Sequence, residues 1–290
     1  MIKKKDNSFK INPLHLHLQQ VYNLLQVVLF IHFTLLTFSN CYEPKTDCLD
    51  IRATNFNVAA DKACSNCCNY PTLKLQINYV FGDTTLNFNN LYTLNGVDSF
   101  KITAAKMYIS DFQWVTTDNL IKKVLDTIQL TGYNQNPFVT NDFVLINKKN
   151  GFTFDVGHFS EGGIFKQIRF KVGLNSIANQ TNPAKMPATH PLNTNRDTVA
   201  MYLDSLQGYI FNKIVLQQTN LPQKNIVLQG AQTPIPIIFN QNFGIRDGFD
   251  AIISIKVDYK KLLQGIQFNQ TQAVMQSQMI ANTPNIFSLE

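Results

Sequence analysis

Leu73-Lys74-Leu75-Gln76-Ile77-Asn78-Tyr79-Val80-Phe81 alternates apolar and polar side chains almost without a break. A period of two is the mark of a strand with one face on a core and the other on solvent. The pattern returns at Ile168, Phe170, Val172 and Leu174, interleaved with Arg169, Lys171 and Gly173. Working outward, residues 100–115, 124–130, 138–146, 209–216, 225–228, 235–239 and 251–259 read as further strands. Turn chemistry separates them: Gly82-Asp83, Asn95-Gly96, Asn150-Gly151, Gly162-Gly163 and Asp247-Gly248. No long amphipathic helical pattern lies between the strands, so the expected fold is all-β, an antiparallel β-sandwich rather than a parallel α/β sheet. Short helices are expected at 198–206, 259–265 and 271–280. Residues 175–197 form a long polar connection with three prolines, and such loops are often functional.

The front of the chain has a different character. Lys3, Lys4, Lys5 and Lys10 precede an apolar run over residues 21–38, the layout of a secretory signal. Asn23, Gln26, His32 and Thr34 interrupt the run, which makes it a poor permanent membrane span. Leu36-Thr37-Phe38-Ser39-Asn40-Cys41 is similar to a bacterial lipobox, with Asn40 where Gly or Ala is usual. Cys41 is therefore the expected lipid anchor. The expected location is the periplasm or outer membrane, with the protein exported and membrane-held. The expected organisation is a signal peptide at 1–40, an anchor and cysteine-rich cap at 41–71, and a β-sandwich at 72–290.

Composition narrows the functional classes. The chain has 290 residues, 44% hydrophobic and only 15% charged, ample for a large core. About half of the formal charge of +6 belongs to the leader, where four lysines face Asp6. No basic run with interleaved aromatics appears, which argues against nucleic acid as a partner. With Cys41 set aside, Cys48, Cys64, Cys67 and Cys68 remain. In a cytosolic chain Cys64-x-x-Cys67 would suggest zinc; outside the cytoplasm the reading is two disulfides closing a loop-rich cap. A bond between the neighbours Cys67 and Cys68 would be strained, so Cys48 is expected to pair with one of the other three. Asp47, Asp50 and Asp61 read as loop acids rather than a calcium site. Only His158 and His190 follow the leader, and no G-x-S-x-G, HExxH or phosphate-binding loop is present. The expectation is a non-catalytic protein.

Several stretches, in order, resemble the MbnP-like family of methanobactin-associated periplasmic copper-binding proteins and their lipoprotein relatives. They are the strand at 73–82; Tyr108-Ile109-Ser110-Asp111-Phe112; Ile168 to Gly173 and Asn175; His190-Pro191-Leu192 followed by Met201-Tyr202 and Gly208-Tyr209; and the tail from Met279 to Phe287. The resemblance implies copper as cofactor, with His190, Met201 and His158 as candidate ligands and Met186, Met275 and Met279 as extras. Tyr79 stands near where relatives carry a histidine on the first strand and joins the candidates. Imidazole and thioether suit copper, the thioether favouring Cu(I). The resemblance also implies an envelope redox or haem-protein partner. Leu203 and Ser205 stand where relatives have two tryptophans, and the only tryptophan here is Trp114. A competing reading is a surface module that binds a glycan or protein through Tyr133, Phe138 and Phe159. His190, before Pro191, also reads as a structural turn residue.

Overall fold

The alternation at 73–81 forms strand β1, Thr72–Phe81. It is followed by β2, Asp98–Thr116; β3, Val144–Asn147; β4, Thr153–His158; and β5, Gly163–Val172. Then come β6, Asn212–Gln218; β7, Lys224–Gln229; β8, Ile235–Phe239; β9, Phe243–Ile245; β10, Ala251–Asp258; and β11, Phe287–Leu289. The computed structural model describes residues 13–37, 42–96, 98–131, 137–193, 199–219, 224–230 and 233–290.

The larger sheet runs β7-β6-β2-β5-β8, and the smaller runs β4-β1-β10-β11. Their inner faces share one core. Ile77, Ile255 and Val257 come from the smaller sheet, and Ile102, Ile168, Phe170 and Ile214 from the larger. Phe170 meets Phe287 edge-on across the gap at 5.4 Å. Each fully buried Leu, Ile or Phe side chain contributes roughly 1.5–3 kcal/mol of burial free energy. Among the labelled strands one pair departs from the antiparallel expectation: β1 and β10 run parallel, with Leu73 opposite Ala251. The intervening residues hold the whole larger sheet, a connection long enough to return the chain in the same direction.

The helix expected at 198–206 is absent from its described residues, 199–206. Residues 199–209 make a tight turn closed by a bridge between Tyr202 and Tyr209. There the Asp204 carboxylate accepts the N–H groups of Leu206 and Gln207, a local bond that competes with helix. The other two helices are present at Tyr259–Leu262 and Gln272–Asn282, capped by Asp258 and Thr271. Of 124–130, only Thr127–Gln129 is strand, while β4, β9 and β11 carry no expectation from the sequence.

The long strand β2 organises the larger sheet. Along one edge it pairs first with β6, through residues 100–107, and then with β5, through residues 109–116. The two partners meet end to end at Tyr108, whose N–H donates to Phe211 C=O at 2.8 Å and whose C=O accepts the Gly173 N–H at 2.9 Å. Gly173 has φ +117, and a Cβ there would stand 2.3 Å from the Phe211 ring. Only glycine lets both chain ends share this spot. Ser110 donates to Gly173 C=O at 2.7 Å.

Met107 and Ile109 face the sandwich core. Tyr108 points the other way, into a second core with Leu174, Ala178, Met186, Leu192, Met201, Tyr209 and Phe211. The described part of the long polar connection therefore folds onto the outer face of the sheet and buries its own apolar residues. Two hydroxyls fix its course: Tyr108 donates to Pro191 C=O at 3.1 Å and Tyr209 to Leu192 C=O at 2.7 Å.

The chain divides into two compact units, residues 1–46 and 47–290. In the first, Pro13–Thr37 is one helix with Leu24, Leu29 and Phe30 exposed. No described helix is long and apolar enough to cross a membrane. The expected anchor, Cys41, lies outside the described residues. In the second unit the cap is closed by Cys48–Cys68 and Cys64–Cys67, with Cα separations of 5.0 and 5.7 Å. Its acids build loops. Asp50 takes two bonds from the Arg52 guanidinium, both at 2.9 Å, one from the Arg52 backbone N–H and one from the Tyr70 hydroxyl. Asp47 holds the Cys48 N–H and the Asn57 amide.

Gly173→Ala should destabilise the protein by about 3 kcal/mol or more, since overpacking and backbone strain act together. Gly163→Ala, at φ +135 with nothing within 4 Å of its Cβ, carries the strain alone and should cost clearly less. Urea unfolding of both variants checks this; equal losses would mean that the meeting of β5 and β6 is not crowded.

Candidate functional site

A cleft of about 800 Å³ opens beside the edge strands β3 and β4, walled on its third side by residues 188–193, and both His158 and His190 line it. Backbone geometry explains how each arrives there.

His158 ends β4, opposite Thr72 of β1. The pairing slips between Asp155 and Gly157, a bulge of the kind that re-aims the next side chain. Gly157 has φ +149, and a Cβ there would stand 2.7 Å from the Asp126 carboxylate. The missing Cβ lets Asp126 close on the strand end. One carboxylate oxygen accepts the His158 backbone N–H, and the other pairs with Nδ1 at 2.9 Å. The His158 side chain is 53% exposed. With Nδ1–H donating to the carboxylate, Nε2 carries a free lone pair. A histidine so oriented is the usual form of a metal-binding imidazole.

His190 is held the other way. Its Nδ1 accepts the Leu192 N–H at 3.1 Å, and its Nε2 pairs with Asn141 Oδ1 at 2.9 Å. The backbone donor requires Nδ1 to be bare, so the proton sits on Nε2. Ligation through Nε2 would move that proton onto Nδ1, against the Leu192 N–H. His190 is 9% exposed, sits edge-on to Phe143, and burial lowers its pKa to about 4. It is neutral at physiological pH and acts as a turn residue that pins the loop to Asn141.

The two histidines are joined through protein. Asp126 C=O accepts the Asn141 N–H at 2.8 Å, so the path runs His158, Asp126, Asn141, His190. The neighbouring Asp142 is almost fully buried and accepts the Phe112 N–H at 2.6 Å. Burial raises its pKa to about 6, opposed by the backbone N–H groups of Phe112 and Asp111. Asp111 itself sits at φ +52. Despite its burial, hydrogen bonds from Lys171, Gln113 and Lys123 hold its pKa at about 2.

The other candidates lie elsewhere. Met201 is fully buried in the outer core, and Tyr79 in the sandwich core. Burial raises the pKa of the Tyr79 phenol, and its hydroxyl has no partner among the described residues. Met186, Met275 and Met279 are core residues too. The only sulfur, nitrogen or carboxylate triplet within 4.8 Å among the described residues is Cys64, Cys67 and Cys68, all three closed in disulfides. Trp114 is buried between Phe159 and Phe165, and Leu203 stands half-exposed at the turn. The aromatic surface does not assemble: Phe159 is core and Phe138 is exposed, while Tyr133 lies outside the described residues. Asp126 and Asn141 carried no sequence signal.

Fold and cleft define a non-barrel β-sandwich with a histidine-lined cleft walled by residues 188–193. The MbnP family model matches residues 70–279, and the chain belongs to the MbnP family. A solved structure of MbnP from Methylosinus trichosporium is similar, with 14% identity, covering 76% of this chain and 98% of that chain at a TM-score of 0.49. No curated protein sequence matches the chain.

Asp142 and His190 should tilt stability in opposite directions. Asp142, raised to about 6, binds a proton more readily folded than unfolded, so its contribution falls as pH rises from its ordinary value near 3.8 to 6. His190, lowered to about 4, binds less readily when folded, so its contribution rises with pH between 4 and 6.5. Asp142→Asn should leave the His190 trend uncovered, giving stability that rises more steeply than wild type from pH 4 to 6 in urea titrations. Parallel curves would contradict this.

Proposed function

We propose that this MbnP-family protein is an exported, non-catalytic binding protein of the cell envelope that holds copper at the cleft through His158. The observation that carries the reading is the Asp126–His158 pair, which leaves Nε2 bare and accessible at the cleft. The fit is partial. One imidazole is ready, the second is held in the wrong tautomer, and the thioether of Met201 is not among the lining residues. A nitrogen and oxygen donor set favours Cu(II) over Cu(I). With Leu203 and Ser205 at the tryptophan positions and Trp114 in the core, no exposed tryptophan is offered to a haem-protein partner, and copper affinity rests on the cleft alone.

Export and anchoring are part of the same proposal. They rest on the basic start, the apolar run and Cys41, together with the exposed leucines and phenylalanines of the N-terminal helix, a surface suited to lipid rather than water. Mass spectrometry of the membrane fraction should find an acylated Cys41; a mature N-terminus carrying no lipid contradicts it.

A second reading also has an observation in its favour. The cleft volume falls within the range of small-ligand sites, and Asn147, Thr153 and Thr189 among its lining suit a hydroxyl-rich ligand such as a glycan.

Calorimetry and electron paramagnetic resonance of the oxidised protein with Cu(II) separate the two readings. One weak site is expected, with nitrogen coupling. His158→Ala should abolish it, and Asp126→Asn should weaken it about 10–100-fold by freeing the imidazole orientation. His190→Ala should change affinity only a few-fold. No binding above background, or unchanged binding in His158→Ala, overturns the copper reading and leaves the glycan reading to be tested on an array.

A further inference from the structure

The cap carries chemistry that the cleft does not use. The Sγ atoms of Cys64, Cys67 and Cys68 lie within 4.8 Å of one another, although they belong to two different disulfides. All three cysteines are half-buried, whereas Cys48, the partner of Cys68, is fully buried. Hydrogen bonds hold the same stretch of backbone. Cys64 N–H donates to Asp47 C=O at 3.0 Å. The Asn55 amide donates to Cys67 C=O at 2.7 Å and accepts the Asn69 N–H at 2.8 Å. Thr54 N–H donates to Asn69 C=O at 2.8 Å. These bonds do not involve sulfur, so they hold the backbone that carries the three cysteines independently of the S–S bonds.

We propose that the cap is a redox-gated site for a soft monovalent d10 cation, with Cys64, Cys67 and Cys68 as its three thiolate ligands. With both disulfides formed the site is closed, because no thiolate is present. With both reduced it is open. Thiolates select soft ions, Cu(I) foremost. Among the described residues no fourth His, Cys, Asp or Glu atom joins the triangle, which suits three-coordinate Cu(I) and not zinc, whose structural sites take four ligands. Opening takes four electrons and four protons. Two molecules of a dithiol reductant supply them, each leaving as its own disulfide. The bound cation then displaces the thiol protons of the three ligands, and Cys48 remains a thiol. Nothing in this proposal rests on His158 or on the cleft.

The test uses the processed protein, reduced with a phosphine, which leaves as its oxide with oxygen taken from water. After anaerobic desalting, the protein is titrated with Cu(I) against a chromogenic Cu(I) chelator, beside the oxidised protein. The reduced form should bind one Cu(I) per chain more than the oxidised form, with an ultraviolet thiolate-to-copper band. Cys67→Ser should weaken that binding by at least ~10-fold. Cys48→Ser should keep it, because the triangle is intact, and His158→Ala should keep it too, which separates this site from the cleft. Equal binding by the reduced and oxidised forms, or wild-type binding by Cys67→Ser, overturns the proposal.

Discussion

The meeting of three chain segments at Tyr108 is the constraint on which the rest of the structure depends. One residue spends its N–H on Phe211 and its C=O on Gly173. It thereby joins two strands end to end along the same edge of β2. A side chain at residue 173 would overlap the Phe211 ring, so the join exists only because residue 173 is glycine. Tyr108 also turns its ring to the outer face, where it meets Tyr209 edge-on at 5.6 Å. The two hydroxyls then fix consecutive carbonyls, those of Pro191 and Leu192. Through that pair the centre of the sheet determines where His190 stands and how the cleft is roofed.

The cleft is a consequence of sheet edges. Among the described residues β3 and β4 each pair with a strand along one edge, and the space beside them is bridged by polar contacts rather than by a further strand. Asp126 and Asn141 tie the two histidines into one network. The network gives the imidazoles opposite tautomers. His158 leans on a carboxylate and frees Nε2, while His190 leans on a backbone donor and commits both nitrogens. One histidine leaves a ring nitrogen open at the cleft and the other holds the loop, and the difference comes from the partner of Nδ1 in each case.

Much of the sandwich was legible because period-two patterning survives wherever one face is buried. β1 and β5 announce themselves this way, β2, β6, β7, β8 and β10 read as strands between turn signals, and all-β architecture followed from the lack of helical patterning between them. The parallel pairing of β1 with β10 was not legible, since register between strands so far apart is decided by the whole intervening sheet. β4 was missed because it is short, lies at an edge and buries only Val156 fully, leaving almost no alternation to detect. That omission hid the wall that carries His158. The long loop read as polar because its apolar residues, among them Ala178, Met186 and Leu192, are scattered; they converge, with Leu174 and Met201 from its flanks, only when it folds onto Tyr108. For the same reason the thioether of Met201, attractive as a ligand in sequence, is a packing residue in space. The motif around Tyr108 to Phe112 pointed to the family and proves to be architecture: Tyr108 and Ser110 build the join, the pairing of β2 with β5 slips between Ser110 and Gln113 in a bulge at Asp111, and Asp142, with no sequence signal, caps that bulge from the neighbouring segment.

The central claim is that the join at Tyr108 holds the His190 loop in place, and the ionisation of His190 reports it most directly. Nuclear magnetic resonance of the imidazole nitrogens in the wild type should show a neutral ring with its proton on Nε2 down to about pH 4. In the Tyr108→Phe/Tyr209→Phe double variant, which removes both hydroxyls that hold Pro191 and Leu192, the loop should loosen and the ring should titrate towards the ordinary value near 6.5. A wild-type His190 that titrates near 6.5, or a double variant indistinguishable from wild type, would contradict the account.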